Sequence, residues 1–304
     1  MGKAMKIIRR SIHVFFKNYH PAASAAALLA LPYSVAALLS HSSAISPSSA
    51  AVSRRLHAVF EASGFPASSR FFSLLNLRLS QAALAFASTL PFSLTFLLLA
   101  KAHAIQAVNN NPPYRRRPPL SPLSLYSSLL STYVFAAFAT LAANAAIFSL
   151  LFLAFNTVEI LTLSPANFTL AFSILGIILY SVLLTNTIIA CNMAIVIACM
   201  EERCSGCVAF LRALVLIKGR AATAIAVALP ATLGRVAIEA LFRLRVARPG
   251  FGASTLCEGL LIGYMYSTLI VVDTVITCML YRSCVRSQSQ YEGLEAEEKG
   301  ALHA

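Results

Sequence analysis

Six apolar stretches, at about 21–40, 79–100, 125–155, 168–199, 221–241 and 256–281, dominate this chain of 304 residues. The hydrocarbon core of a bilayer is about 30 Å thick, and roughly 20 apolar residues of helix cross it. Lipid offers no partner to a backbone N–H or C=O. A spanning segment must therefore bond internally, and long unbroken runs do so as helices, not as barrel strands. The third and fourth runs are long enough that they must tilt or project beyond the hydrocarbon. The expected class is all-α: a polytopic transmembrane helical bundle of about six spans over 21–281, with a basic segment (1–20) before it and a polar, disordered tail (282–304) after it.

Composition agrees. Hydrophobic side chains make up 58% of the chain and charged ones 12%, where a soluble domain carries about 25% charge. That excludes a water-soluble globule, and it is the reverse of the balance that keeps a chain disordered. The net charge of +13 does not point to nucleic acid, because the basic residues form short clusters between apolar runs and not one contiguous basic face. Clusters of that kind mark loops facing an anionic leaflet. With the N-terminus inside, Lys3, Lys6, Arg9, Arg10, Lys17, Lys101, Arg115, Arg116, Arg117, Arg203, Arg212, Lys218, Arg220, Arg282, Arg286 and Lys299 share the cytosolic side. Far fewer cations flank the opposite side, so both termini are expected in the cytosol, and an odd number of spans would move the C-terminus. The expected partners are the bilayer and its anionic headgroups, and no cofactor is implied.

Residues 3–17 place Met5, Ile8, Ile12 and Phe15 at helical spacing, with Lys3, Lys6, Arg10 and Lys17 around the other side. This is the pattern of an interfacial amphipathic helix. The stretch 109–119 contains four prolines and Arg115, Arg116 and Arg117; it is expected to be extended and basic. Helix-like pieces are expected near 52–62 and 68–78.

Ionisable groups inside a span are costly and constitute a functional hypothesis by default. Asp273 lies within the sixth run, and Arg235 and Glu239 lie four apart in the fifth, where one helical face would pair them. Asn144, Asn186 and Asn192 add amides to the third and fourth runs. These six residues are a candidate intramembrane polar network, either a pathway for a solute or interhelical glue, and glue is the favoured reading. Gly259, Gly263 and Ser267 form a small-residue seam on the last run, suited to close helix packing within the chain. Cys204 and Cys207 have the spacing of half a zinc site, but no second ligand pair accompanies them. The seven cysteines form no secreted disulfide framework. No catalytic motif stands out, so an enzyme is not expected.

The segment Glu201-Glu202-Arg203-Cys204-Ser205-Gly206-Cys207-Val208-Ala209-Phe210-Leu211-Arg212 continues to Leu216-Ile217-Lys218-Gly219-Arg220. It resembles a plant family of six-span integral membrane proteins, itself distantly similar to the membrane domain attached to some glycerophosphodiester phosphodiesterases. The last run, with Val272-Asp273-Thr274-Val275 and Tyr281-Arg282-Ser283-Cys284, is similar to that family too. The resemblance implies location and fold, not an activity. The residues themselves describe a short helix with Val208, Leu211, Val215 and Lys218 along it and glycines near both ends. It is too short to span, and Arg212, Lys218 and Arg220 are set to meet lipid phosphates.

Overall fold

In a computed structural model the described residues are 2–17, 24–42, 47–62, 80–81, 84–110, 122–160, 166–201, 204–246 and 253–302. They contain helices and no strand: α1 (Gly2–Lys17), α2 (Ser24–Ser42), α3 (Pro47–Ala62), α4 (Leu84–Asn109), α5 (Pro122–Ile160), α6 (Ala166–Met200), α7 (Cys207–Ile217), α8 (Ala221–Arg245) and α9 (Ala253–Leu302). The chain is an all-α, membrane-embedded protein. Five of these helices carry a segment long and apolar enough to cross a bilayer: Leu84–Asn109, Leu125–Ile147, Ile174–Met200, Ala221–Arg245 and Thr255–Gln288.

The first of the six runs forms α2, Ser24–Ser42, of which Ser24–Ser40 is a shorter apolar helix. One expectation needs correction. The tail is not disordered: α9 is 50 residues long and runs on to Leu302. Its Glu, Gln, Ala and Leu residues are good helix formers, and extending an existing helix avoids the cost of nucleation. In α1 the periodic apolar residues divide: Phe15 is buried, Ile8 half-buried, and Met5 and Ile12 exposed, while Ala4, Ser11 and Val14 turn inward beside Phe15. Small side chains dock this helix closely, and a reading of hydrophobicity passes over them. The expected helix over 52–62 lies within α3. The expected piece at 68–78 and the basic stretch with Arg115, Arg116 and Arg117 fall outside the described residues.

The chain divides into two compact units. The first comprises Met1–Asn18, Ile105–Pro230 and Val272–Ala304, and the second Tyr19–Ala104 and Ala231–Val271. In the second unit α2 presents Ala26, Ala30 and Ser34 as a buried stripe of small residues. Ser34 returns its hydroxyl to the carbonyl of Leu31 at 2.9 Å, so it needs no partner on another helix. Part of α2 packs on a π-helical turn of α4, Ser93–Leu97. The cause of that turn lies beside it: Pro91 has no N–H to give, and the hydroxyls of Ser93 and Thr95 donate to the carbonyls of Leu90 and Pro91, each at 2.8 Å.

Within the first unit α5 and α6 pack along each other, and α7 packs on both. Phe135 of α5 meets Phe210 of α7 with ring centroids 5.6 Å apart. Thr140 and Cys191 approach to 3.5 Å between α5 and α6. Ala4 and Ile7 of α1 join Val227 of α8 and Ile276 of α9 in one apolar cluster.

Candidate functional site

The polar groups that converge most closely lie where α6 ends. Glu201 closes the last turn of that helix, its N–H bonded to the carbonyl of Ile197 at 2.8 Å. The chain then turns back through Gly206, whose φ of 58° lies in the left-handed region that glycine adopts without strain. The N–H of Gly206 donates to Thr132 Oγ1 at 2.9 Å, which ties the turn to α5. A second left-handed glycine, Gly219 (φ 80°), ends α7 and directs the chain into α8. These two glycines are why an 11-residue helix stands between two spans as an elbow.

Glu201 is the hub of this elbow. Its carboxylate accepts from Arg212 Nη1 at 2.8 Å and from the Tyr281 hydroxyl at 2.5 Å, so one side chain joins the end of α6 to α7 and α9. The two contacts are unequal. Arg212 is half exposed, and an ion pair in that setting contributes about 0–1 kcal/mol. Tyr281 is buried, and a hydrogen bond from such a group to a charged acceptor contributes roughly 1.5–3 kcal/mol. The tyrosine contact therefore dominates. Two further arginines stand in the same unit: Arg282 Nη2 donates to the carbonyl of Val108 at 3.4 Å, and the Arg220 side chain stands beside Cys284. Lys218 is exposed.

Cys204 lies inside this arrangement, with Arg212 Nη1 3.8 Å from its sulfur. Burial raises its thiol above the ordinary cysteine value, the hydrogen bond and negative charge of Glu201 raise it further, and Arg212 opposes them. A raised thiol stays protonated, and only the thiolate is nucleophilic. Alkylation of Cys204 by iodoacetamide at pH 8 is therefore expected to be slower than that of free cysteine. Glu201→Gln, which leaves Arg212 in place, should accelerate it; mass spectrometry of the labelled peptide reads both rates. Unchanged labelling in Glu201→Gln would remove Glu201 as a cause.

The residues singled out in the sequence are distributed as follows. Asn144, Asn186, Asn192 and Asp273 belong to the first unit, Arg235 and Glu239 to the second, so the expected six-membered network does not form within either unit. Asn144 accepts from the Tyr180 hydroxyl at 2.9 Å, linking α5 to α6. Asn186 Oδ1 is buried without a hydrogen-bond partner among the described residues. Asn192 is half-buried on α6. Asp273 is only 8% exposed, and its backbone carbonyl accepts from Thr277 at 2.8 Å. Glu239 accepts from the Tyr266 hydroxyl at 3.5 Å.

The packing seam divides as well. Gly263 faces α2 so closely that a Cβ there would stand 2.9 Å from Val35 Cγ2, whereas one on Gly259 would meet nothing nearer than 3.7 Å. Ser267 is buried and bonds its own helix at Tyr264. Of the cations expected at lipid phosphate, Arg212 is held by Glu201, Arg220 is half-buried and Lys218 is exposed, while Arg115, Arg116 and Arg117 lie outside the described residues. Tyr281 was not legible as a site residue. Its only signal is a phenol beside Arg282 at the end of a span, and its partner lies 80 residues away.

Among the described residues no three His, Cys, Asp or Glu side chains converge as a metal site. No curated protein and no solved structure matches the chain. One family does, over residues 3–292, from α1 into the extension of α9. That range covers nearly the whole polypeptide, and the chain belongs to the family described as a domain of unknown function, DUF8558.

Proposed function

We propose that the chain is a non-enzymatic multi-pass membrane protein, a scaffold or lipid-environment protein of the endomembrane system or plasma membrane, with both termini in the cytosol. The observation that carries this reading is the elbow. Its internal charges, Glu201 and Arg212, bind helices to one another, while Val208, Leu211, Leu214 and Val215 of α7 are exposed along with Lys218. A short helix with an apolar outer face and a cation at its end suits the boundary between acyl chains and headgroups. The similarity of this segment to six-span plant membrane proteins supports the same location.

Spin-labelled lipids test the reading. In vesicles of mixed phosphatidylcholine and phosphatidylserine, the motionally restricted lipid around the protein should favour phosphatidylserine. Lys218→Glu should weaken that preference by about 1 kcal/mol or more, the worth of one cation at an anionic surface. Equal restriction of both lipids by the parent protein would end the proposal.

A second reading, a solute or lipid carrier, is favoured by one observation: Asp273 is a carboxylate buried within the last span. On that reading Asp273→Asn abolishes movement of labelled lipid or solute between compartments and leaves the protein folded. On the scaffold reading the substitution leaves lipid selectivity unchanged.

A further inference from the structure

Helix α1 has three faces, not two. At about 100° per residue, Ala4, Ile7, Ser11, Val14 and Phe15 occupy one sector, which is turned into the protein. Met5, Ile12 and Phe16 fall within about 40° of one another in the next sector, and they are 66%, 42% and 67% exposed. Lys6, Arg9, Arg10 and His13 fill the remaining sector and are exposed. The cations border the apolar stripe directly, with Arg9 at its edge.

The depth of the helix is fixed by what it packs on. Ala4 and Ile7 rest against Val227 and Ile276. Val227 follows Arg220, and Ile276 precedes Arg282, by six or seven residues, a distance of about 10 Å along a helix rising 1.5 Å per residue. An interfacial helix buries its apolar face roughly 5–10 Å into the boundary between headgroups and acyl chains. The polar elbow and α1 therefore stand at the same end of this unit, with the residues that Ala4 and Ile7 touch about 10 Å further along α8 and α9 than the cations.

We infer that α1 is a preformed binding surface for an anionic bilayer leaflet, with Met5, Ile12 and Phe16 inserted among acyl chains and Lys6 and Arg9 in contact with headgroup phosphates or carboxylates. Charge complementarity names the occupant, and continuity with the lipid-exposed spans places it there. The inference needs membrane embedding alone; lipid selectivity at Lys218 does not enter it. Docking on α8 and α9 holds the helix in shape beforehand, so the leaflet meets an ordered surface.

The chain contains no Trp, so a single introduced one reports its own surroundings. Full-length Phe16→Trp and His13→Trp chains are reconstituted in phosphatidylcholine vesicles brominated on the upper acyl chain, with and without phosphatidylserine. Bromine should quench the Trp at position 16 several-fold more than that at 13, and phosphatidylserine should deepen the difference. Adding Lys6→Glu and Arg9→Glu to Phe16→Trp should reverse the phosphatidylserine effect, by about five-fold for each cation lost. Should the double charge reversal alter the far-ultraviolet dichroism, Lys6→Gln with Arg9→Gln replaces it and a smaller reversal is expected. Quenching of position 16 by aqueous acrylamide in place of bromine overturns the inference. So does shielding from both quenchers, which would mean that protein covers the stripe, or bromine quenching indifferent to phosphatidylserine and to both charge variants.

Discussion

Gly263→Leu is expected to prevent the second unit from assembling, while Gly259→Ala, four residues away on the same helix, is expected to be harmless. Even the first carbon of a side chain at position 263 would come within 2.9 Å of Val35 Cγ2, with Leu31 next at 3.8 Å. Val35 cannot easily turn aside, because β-branched side chains in a helix hold one dominant rotamer. Gly263→Ala should therefore cost about 1–3 kcal/mol, as overpacking generally does. Leucine adds three more carbons, and α2 must part from α9. At Gly259 the nearest atoms are at 3.7 Å or beyond, and alanine gains about 0.5–1 kcal/mol from the lower backbone entropy of its unfolded chain. Thermal unfolding of the purified proteins in one detergent measures the order. Equal stabilities for the two variants would show that α2 does not press on Gly263.

The second large effect is expected at Glu201. Glu201→Ala removes the carboxylate that accepts from the buried Tyr281 hydroxyl, and a hydrogen bond to a charged acceptor contributes roughly 1.5–3 kcal/mol. Tyr281→Phe should cost about 2 kcal/mol and Arg212→Ala less than about 1, because the arginine is half solvated. A double-mutant cycle between positions 201 and 281 should return most of the Glu201→Ala loss as coupling, since each variant removes the same bond. Hydrogen exchange over 201–218 supplies a local readout, with faster exchange expected in Glu201→Ala and Tyr281→Phe. The picture reverses if Arg212→Ala proves the costlier change.

Different physical signals explain what could and could not be read beforehand. The spanning helices were visible because lipid tolerates little except long apolar helix, so runs such as 168–199 and 221–241 announce themselves. The elbow was visible too, because Gly206 and Gly219 bracket a stretch too brief to cross. The docked face of α1 was not. Periodicity weighs hydrophobicity, and Ala4 and Ser11 are buried for their small size. Nor was the link from Glu201 to Tyr281, since a bond between residues 80 apart leaves no local trace. The tail misled through its composition, because polar composition resembles disorder until a helix is already in place to extend.

The π-helical turn at Ser93–Leu97 sets the phase of everything after it. Such a turn holds one residue more than an α-turn, and one residue is worth about 100° of rotation. Beyond it Ala100 and Ala104, about 40° apart round the helix, are buried, and the surplus residue sets the direction in which they point. Removing a single residue from this turn straightens the winding and leaves each side of the helix in its present direction, whereas the same deletion one turn later rotates every following side chain out of place.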